Sequence, residues 1–141
     1  IEGLSVSGAF SMLDSELTKK LVPTNDVMVG QDLAFAPAFQ GNLNVRYEWG
    51  LSDGNVAHFM PQVTLSDDSY SDVILINRAK NQSYVKFDVR VGVSGDDFTA
   101  EFYVENLTDE RAEISRNFVF DRERVAYMRP MTLGVRYKKN F

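Results

Sequence analysis

The titratable side chains of this sequence offer few combinations that carry out chemistry. His58 is the only histidine, and no other metal-ligating side chain stands at ligand spacing from it. We therefore expect a hydrogen-bonding role for His58 on a polar, lumen-facing surface. Glu101 and Glu105 resemble a glycosidase pair, but on one strand they would lie about 13 Å apart, at ~3.3 Å per residue. That separation is too long for glycosidase chemistry.

A second acidic group stands in a long polar stretch, where it could hold calcium. Its members are Asp67, Asp68 and Asp72, and their spacing does not match the ligand positions of an EF-hand loop. A solvated acidic loop is the simpler interpretation. The sequence contains no cysteine, and it shows no Ser-His-Asp set, phosphate-binding loop or zinc motif. These observations predict a protein that is not an enzyme and that needs no cofactor or metal.

The composition fits either a soluble or a membrane-embedded protein. The 141 residues are 44% hydrophobic and carry a formal net charge of −5. This acidic balance argues against general nucleic-acid binding, which favours a basic face. No apolar run approaches the ~20 residues that a spanning helix needs, and the first residues lack the features of a signal peptide. We expect one domain over 1–141 that belongs to a longer chain.

Alternation of apolar and polar residues predicts six strands that must position these side chains. The expected strands lie near residues 4–12, 42–49, 57–65, 85–93, 98–105 and 132–141. Short turns follow the second and fourth strands, whereas long loops follow the first, third and fifth. Short turns at one rim and long loops at the other are typical of outer-membrane barrels. The predicted fold class is therefore all-β, an antiparallel up-and-down meander that forms part of a large transmembrane β-barrel.

The fourth and fifth strands form a hairpin whose register can be predicted. Taking Gly95-Asp96 as a two-residue loop puts Val89 opposite Phe102 on the apolar side. The same register gives two ion pairs on the polar side, which are Arg90–Glu101 and Lys86–Glu105. Cross-strand pairs of this kind contribute roughly 0.2–1 kcal/mol each. A slip by one residue would exchange the two faces.

Alternation alone fits two arrangements equally well. In one, a soluble secreted β-sandwich buries its apolar face and binds a ligand through its long loops. In the other, the apolar face of a barrel wall meets lipid. Aromatic residues at the ends of the apolar faces favour the barrel, because such girdles mark the membrane interfaces. Trp49, Phe98 and Phe141 lie at the short-turn end, and Phe39 lies at the long-loop end.

In the barrel arrangement the polar face of the sheet looks into the lumen. The candidate lumen-facing charges are Arg46, Glu48, Lys86, Arg90, Glu101, Glu105 and Arg136. In the last long loop, which we expect to be a solvated outer loop, Phe118, Phe120 and Tyr127 are the candidate ligand contacts. A small complete barrel of about eight strands has the right length, but it needs two strands more than the pattern provides.

The end of the sequence resembles that of TonB-dependent outer-membrane receptors. Asn106-Leu107-Thr108-Asp109 is similar to the segment that ends the penultimate strand in that family. Arg129-Pro130-Met131-Thr132-Leu133-Gly134 is similar to the segment that opens the last strand, which terminates in Phe as Phe141 does here. Ala36-Pro37 and Asp14-Ser15-Glu16-Leu17 also resemble family patterns. The resemblance therefore covers essentially the whole chain.

The resemblance implies the C-terminal portion of a barrel of about 22 strands with a plugged lumen. The barrel would lie in the outer membrane of a Gram-negative bacterium and import a scarce solute such as an iron-siderophore complex, haem, cobalamin or a saccharide. The implied partners are outer-membrane lipid, a small-molecule or metal-chelate ligand, and the outer-membrane assembly machinery. TonB would act through an upstream region that this sequence lacks, together with the plug and signal peptide. Gly134, Tyr137 and Phe141 are the candidate C-terminal assembly signal.

Overall fold

Six long antiparallel strands form one sheet in this protein. The computed structural model describes residues 2–20, 23–120 and 122–141. In chain order the strands are β1 (Leu4–Met12), β2 (Phe39–Gly50), β3 (Val56–Ser66), β4 (Ser69–Tyr70), β5 (Lys80–Asn81), β6 (Tyr84–Ser94), β7 (Phe98–Glu105), β8 (Glu113–Val119), β9 (Arg122–Tyr127) and β10 (Thr132–Lys139). The large sheet has the order β1-β2-β3-β6-β7-β10, which is an up-and-down meander. The predicted fold class is confirmed.

The sheet accounts for nearly all of the regular structure. A single 3-10 turn at Leu75–Asn77 is the one helical segment in the described ranges. No helix in that part of the chain is long and apolar enough to cross a membrane. β4 pairs with β5 and β8 pairs with β9, which makes two small hairpins within the long connections.

The two faces of the sheet stay in phase from one edge to the other. One row of paired residues crosses all six strands and consists of Leu4, Tyr47, Phe59, Val91, Phe102 and Val135. Because side chains alternate along a strand, this row and its parallel neighbours form an apolar face, and the residues between them form a polar face. β-branched and aromatic residues dominate the apolar face, which suits a pleated surface. The predicted assignment of residues to the two faces holds along the six strands, and Phe141 lies beyond the end of the last one.

The predicted register of the β6–β7 hairpin is wrong by two residues. Arg90 lies opposite Tyr103, and Glu101 lies opposite Gly92. The ion pairs Arg90–Glu101 and Lys86–Glu105 therefore do not form. The Gly95 N–H donates to the Phe98 carbonyl over 2.9 Å, so the loop residues are Asp96 and Asp97. A shift of two residues keeps every side chain on its predicted face, which is why alternation did not reveal it.

Packing at Gly95 explains the observed register. A Cβ at this position would lie 2.5 Å from the ring of Phe98 and 2.6 Å from the side-chain oxygen of Asn55. The absence of a side chain at Gly95 therefore leaves room for the Phe98 ring, and Gly95 does not have a positive φ. The glycine pairs with Phe98 at the end of the ladder, and the turn moves to the two aspartates.

The long connections contain more order than the sequence suggested. The segment predicted as a solvated outer loop contains the β8–β9 hairpin, whose turn places Phe120 at a φ of 51°. Charged residues on both faces of this hairpin hide the alternation that reveals the longer strands. The last strand also ends earlier than expected, at Lys139. Asn140 then donates its N–H to the Asp97 carbonyl over 2.7 Å.

The burial of the two faces is the reverse of that in a water-soluble sheet. On the apolar face Phe102 is 45% exposed and Val135 is 76% exposed, whereas His58 on the polar face is only 1% exposed. Ala57 and Ala112 are the only buried hydrophobic residues in the described ranges. Within these ranges no second layer covers the apolar face. A β-sandwich would bury this face beneath another sheet, and the structure does not do so.

Candidate functional site

One row of the polar face brings ionisable residues from distant parts of the chain together. In order across the sheet the row consists of Glu48, His58, Gly92, Glu101 and Arg136. His58 Nε2 lies 3.3 Å from Glu101 Oε2; the His58 side chain is buried, and that of Glu101 is 10% exposed. Glu101 Oε1 lies 3.6 Å from Arg136 Nη1. The row links β3, β7 and β10 through side chains, as expected for a hydrogen-bonding His58.

The glycine in this row makes the contact possible. Gly92 lies on β6, directly between His58 and Glu101. A Cβ there would lie 2.6 Å from His58 Cε1 and 2.6 Å from the Ala100 carbonyl oxygen. Only a residue without a side chain lets the imidazole cross β6 and meet the carboxylate.

The other predicted charges also lie on the polar face, with partners that differ from the predicted ones. Lys86 contacts Asp88 over 2.9 Å, and Arg46 contacts Glu48 over 2.8 Å along the same strand. Glu105 lies 3.8 Å from Arg129, which begins the segment before β10. Arg90 is paired with Tyr103 across the β6–β7 strand pair. Their assignment to a barrel lumen stays a prediction.

The two motif segments near the end of the sequence meet in space. Asn106 is buried at the end of β7, with φ of 55°. Its side-chain amide donates to the carbonyls of Glu110 (3.0 Å) and Arg129 (2.8 Å) and accepts the Glu110 N–H (2.9 Å). Its own N–H donates to Asp88 Oδ1 over 2.8 Å. Asn106 thus joins β6, β7 and the approach to β10.

Asp109 completes this junction. Its carboxylate accepts the Met131 N–H over 2.9 Å and contacts Arg111 over 2.8 Å. The Arg111 guanidinium, with the help of the Met131 amide, lowers the pKa of Asp109 below its usual value. Asp109 also has a positive φ, of 50°. The Asn-Leu-Thr-Asp segment therefore has a structural role, which is to hold the start of the last strand.

The first two long connections are locked to each other by Arg78. Its guanidinium stacks over Tyr70 at 3.7 Å from the ring centre and donates to the carbonyls of Asp32 (3.0 Å) and Asp72 (2.9 Å). Backbone hydrogen bonds from Phe35 to Tyr70 (2.7 Å) and from Leu75 to Asp26 (2.7 Å) reinforce this contact. These contacts join the described parts of the two loops to each other.

Two of the three aromatic candidates for ligand contact lie at the tip of the β8–β9 hairpin, and the third lies at its other end. Phe120 is 95% exposed at the tip of the β8–β9 hairpin, and Phe118 lies beside the tip, opposite Glu123. Tyr127 lies at the other end of the hairpin, opposite Glu113. Tyr127 is four positions beyond Glu123 along the strand, so about 13 Å divides the two ends, at ~3.3 Å per residue. Their role in ligand binding stays a prediction.

The acidic residues of the β3–β6 connection are engaged in different ways. Asp68 forms an ion pair with Lys80 over 3.1 Å, which raises the pKa of that lysine. Asp72 accepts the Ile74 N–H over 2.9 Å. In the described ranges, no group of three or more acidic or histidine side chains is arranged to hold a metal ion.

Two adjoining cavities at the long-loop end of the polar face were missed by the sequence analysis. The larger, of about 340 Å³, lies over the ends of β1, β2 and β3. The smaller, of about 100 Å³, lies where the three long connections meet. Gln40, Ser66 and Tyr84 line both. These residues are polar positions at strand ends, but only the paired strands and folded loops bring them together.

This sheet has a counterpart among solved structures. The chain aligns over 97% of its length with 19% of the siderophore receptor PiuA from Acinetobacter baumannii, with a TM-score of 0.74 and 18% sequence identity. The chain has the fold of a segment of that receptor. The resemblance to the C-terminal barrel segment of TonB-dependent receptors is thus confirmed at the level of the fold. The sequence matches no protein-family model, and a search of curated proteins finds no match.

Proposed function

We propose that this chain is the C-terminal part of the barrel of a TonB-dependent outer-membrane receptor, and that the whole protein imports a scarce solute such as an iron-siderophore complex. The observation that carries the proposal is the reversed burial of the sheet. Val135 on the apolar face is exposed, whereas His58 on the polar face is buried. A receptor-like fold supports the same interpretation.

A membrane environment accounts for the exposed apolar face of the sheet and for the edges of β1 and β10, which are unpaired in the described ranges. Hydrocarbon favours an apolar outer face and requires every backbone polar group to be paired, which strands achieve only in a closed barrel. The outer edges of β1 and β10 have no neighbouring strand in the described part of the chain. In the proposed barrel, further strands of the same protein pair with these edges.

The residues of this chain have three roles in the proposed transport. The apolar face supports the barrel in lipid, and the polar face presents ionic and hydrogen-bonding groups to a plugged lumen. The ordered loops form part of the outer mouth, where a solute first binds. The plug and the TonB contact, which power release, belong to the upstream part of the protein in this proposal.

Uptake measurements test this function directly. We expect a strain that lacks the protein to lose uptake of radioactive iron supplied as one siderophore complex, and we expect removal of TonB to cause the same loss. The protein should appear in the outer-membrane fraction and need detergent for extraction. A protein found in the soluble secreted fraction would refute the proposal and favour a soluble binding module.

A further inference from the structure

The smaller cavity has a lining that selects for one kind of chemical group. It lies on the polar face, where all three long connections contribute residues, and it has a volume of about 100 Å³. A water molecule occupies about 30 Å³ in the liquid. The cavity therefore has room for one small polar group and an adjacent methylene or two.

Asn81 supplies a buried acceptor that lacks a donor. The residue is only 4% exposed, and its Oδ1 is buried with no hydrogen-bond partner. Its Nδ2 contacts Ser69 Oγ over 3.5 Å. Most buried side-chain oxygens have a partner, because an unmet acceptor carries the full cost of its desolvation. A ligand with an N–H or O–H group would satisfy Asn81.

The charge of the lining is negative. Asp67 and Glu113 are the charged residues of the cavity, and no lysine, arginine or histidine lines it. Glu113 is neutralised by Arg116, which lies outside the lining. Asp67 accepts the Asp68 N–H over 2.9 Å, and the ion pair of this stretch is formed by Asp68 with Lys80 instead. Asp67 is exposed and forms no ion pair of 4.0 Å or less in the described ranges, and its charge helps to raise the pKa of the nearby Lys80.

The other residues that line the cavity favour an organic cation over a metal ion. Phe35 and Tyr84 line the cavity, and aromatic rings attract organic cations through their faces. A metal ion would need several ligating side chains, and the described ranges contain no such group. Anionic groups are disfavoured by the Asp67 carboxylate, since like charges repel at short range.

We propose that this cavity binds a primary ammonium group carried by the imported solute. The inference rests on the proposed function and narrows its substrate class to solutes with a cationic amine. The ammonium would donate to Asn81 Oδ1 and to the Asp67 carboxylate, with Tyr84 against its methylene groups. Three donors on one ammonium match the acceptor-rich lining.

Two iron complexes test the proposal on the full-length receptor in detergent. The first is the ferric complex of a linear trihydroxamate with a free primary ammonium, and the second is the same complex with that amine acetylated. We expect the first to bind more tightly. Asp67→Asn should weaken binding of the ammonium complex about tenfold, as expected for loss of a charged hydrogen-bond partner. Binding of the acetylated complex should not change, which also shows that the variant is folded.

Asp68→Asn is the matched control. It also removes one negative charge, at the neighbouring residue, but the carboxylate that it removes is the one that pairs with Lys80. We expect it to leave both affinities within about twofold, since exposed ion pairs contribute little. Equal affinity for the two complexes, or an equal effect of both substitutions, would overturn the ammonium site and leave transport intact. Binding of neither complex, with uptake of an anionic iron complex, would also overturn it. Absence of TonB-dependent uptake of any iron complex would instead refute the proposed function.

Discussion

Glycine positions decide which side chains meet on the polar face. Gly92 lets His58 reach Glu101 across β6. Gly134 on β10 has the same role for Tyr103, whose ring lies over the glycine where a Cβ would otherwise be. Glycine in a strand interior often marks such a close approach. At the residue scale, these two glycines are positions where an added methyl group should lower the stability of the protein.

We expect Gly134→Ala to lower the free energy of unfolding by about 1–3 kcal/mol, because the new methyl group overlaps the Tyr103 ring. In a Tyr103→Ala background the same substitution should cost little, because the overlap is gone. Urea titration of the folded protein in lipid vesicles measures both. Gly50→Ala is the control, since nothing lies within 4 Å of the added atom. Additive costs in the double variant would contradict this account.

The connections between strands are held by a few polar side chains. Asp109 ties the end of β7 to the start of β10 through the Met131 amide. Arg78 ties the β1–β2 loop to the β3–β6 loop. In both cases one side chain satisfies backbone groups that the sheet ladder cannot reach. At the element scale, we expect that the contacts of Asp109 or of Arg78 can be removed without disturbing the strands.

The Asp109 tie should weaken in acid. Its pKa is lowered in the folded protein, chiefly by Arg111, so its contribution is complete above the ordinary value near 3.8 and is lost as pH falls through the lower folded value. We expect hydrogen exchange at Met131, corrected for intrinsic rate, to speed up below pH 3.8. The Leu107 amide, which donates to the Phe87 carbonyl, is the internal control. Asp109→Asn should abolish the acid dependence; if it persists, another group is responsible.

Loss of Arg78 should release the two loops. Each of its hydrogen bonds has the charged guanidinium as donor, and bonds of this type contribute about 1.5–3 kcal/mol to stability. We expect Arg78→Ala to raise hydrogen exchange at the Phe35 and Leu75 amides about tenfold or more, with strand amides unchanged. Arg124→Ala on the exposed strand β9 should have no such effect. Equal exchange in the two variants would show that Arg78 does not hold the loops.

At the scale of the whole molecule, the proposed transport depends on which face of the sheet meets lipid. Val89 on β6 pairs with Pro61 and lies on the apolar face. Gln62 on the neighbouring strand β3 pairs with Asp88 and lies on the polar face. If the apolar face meets lipid near the midplane, Val89→Arg should lower the free energy of unfolding in vesicles by about 2–4 kcal/mol. Gln62→Arg, which places the same charge beside Asp88 on the polar face, should cost far less. Equal costs would mean that lipid does not contact the apolar face.

The period-two pattern was enough to predict the six strands, their order in a meander and the face of nearly every side chain. Alternation is a local property, since each strand displays it without reference to its partners. The long, polar connections hid the β8–β9 hairpin, because charges on both of its faces remove that pattern. The strand at Phe98–Glu105 could therefore be predicted from the sequence, whereas the strand at Glu113–Val119 could not.

Contacts between distant residues came only from the folded chain. A two-residue shift leaves alternation unchanged, so the packing of Phe98 over Gly95 had to choose the register. His58 contacts Glu101, which is 43 residues away in the sequence, and Asn81 and Asp67 line one cavity only in the folded chain. The pattern separates an apolar from a polar face, but whether a second layer covers the apolar one depends on the arrangement of all strands in space.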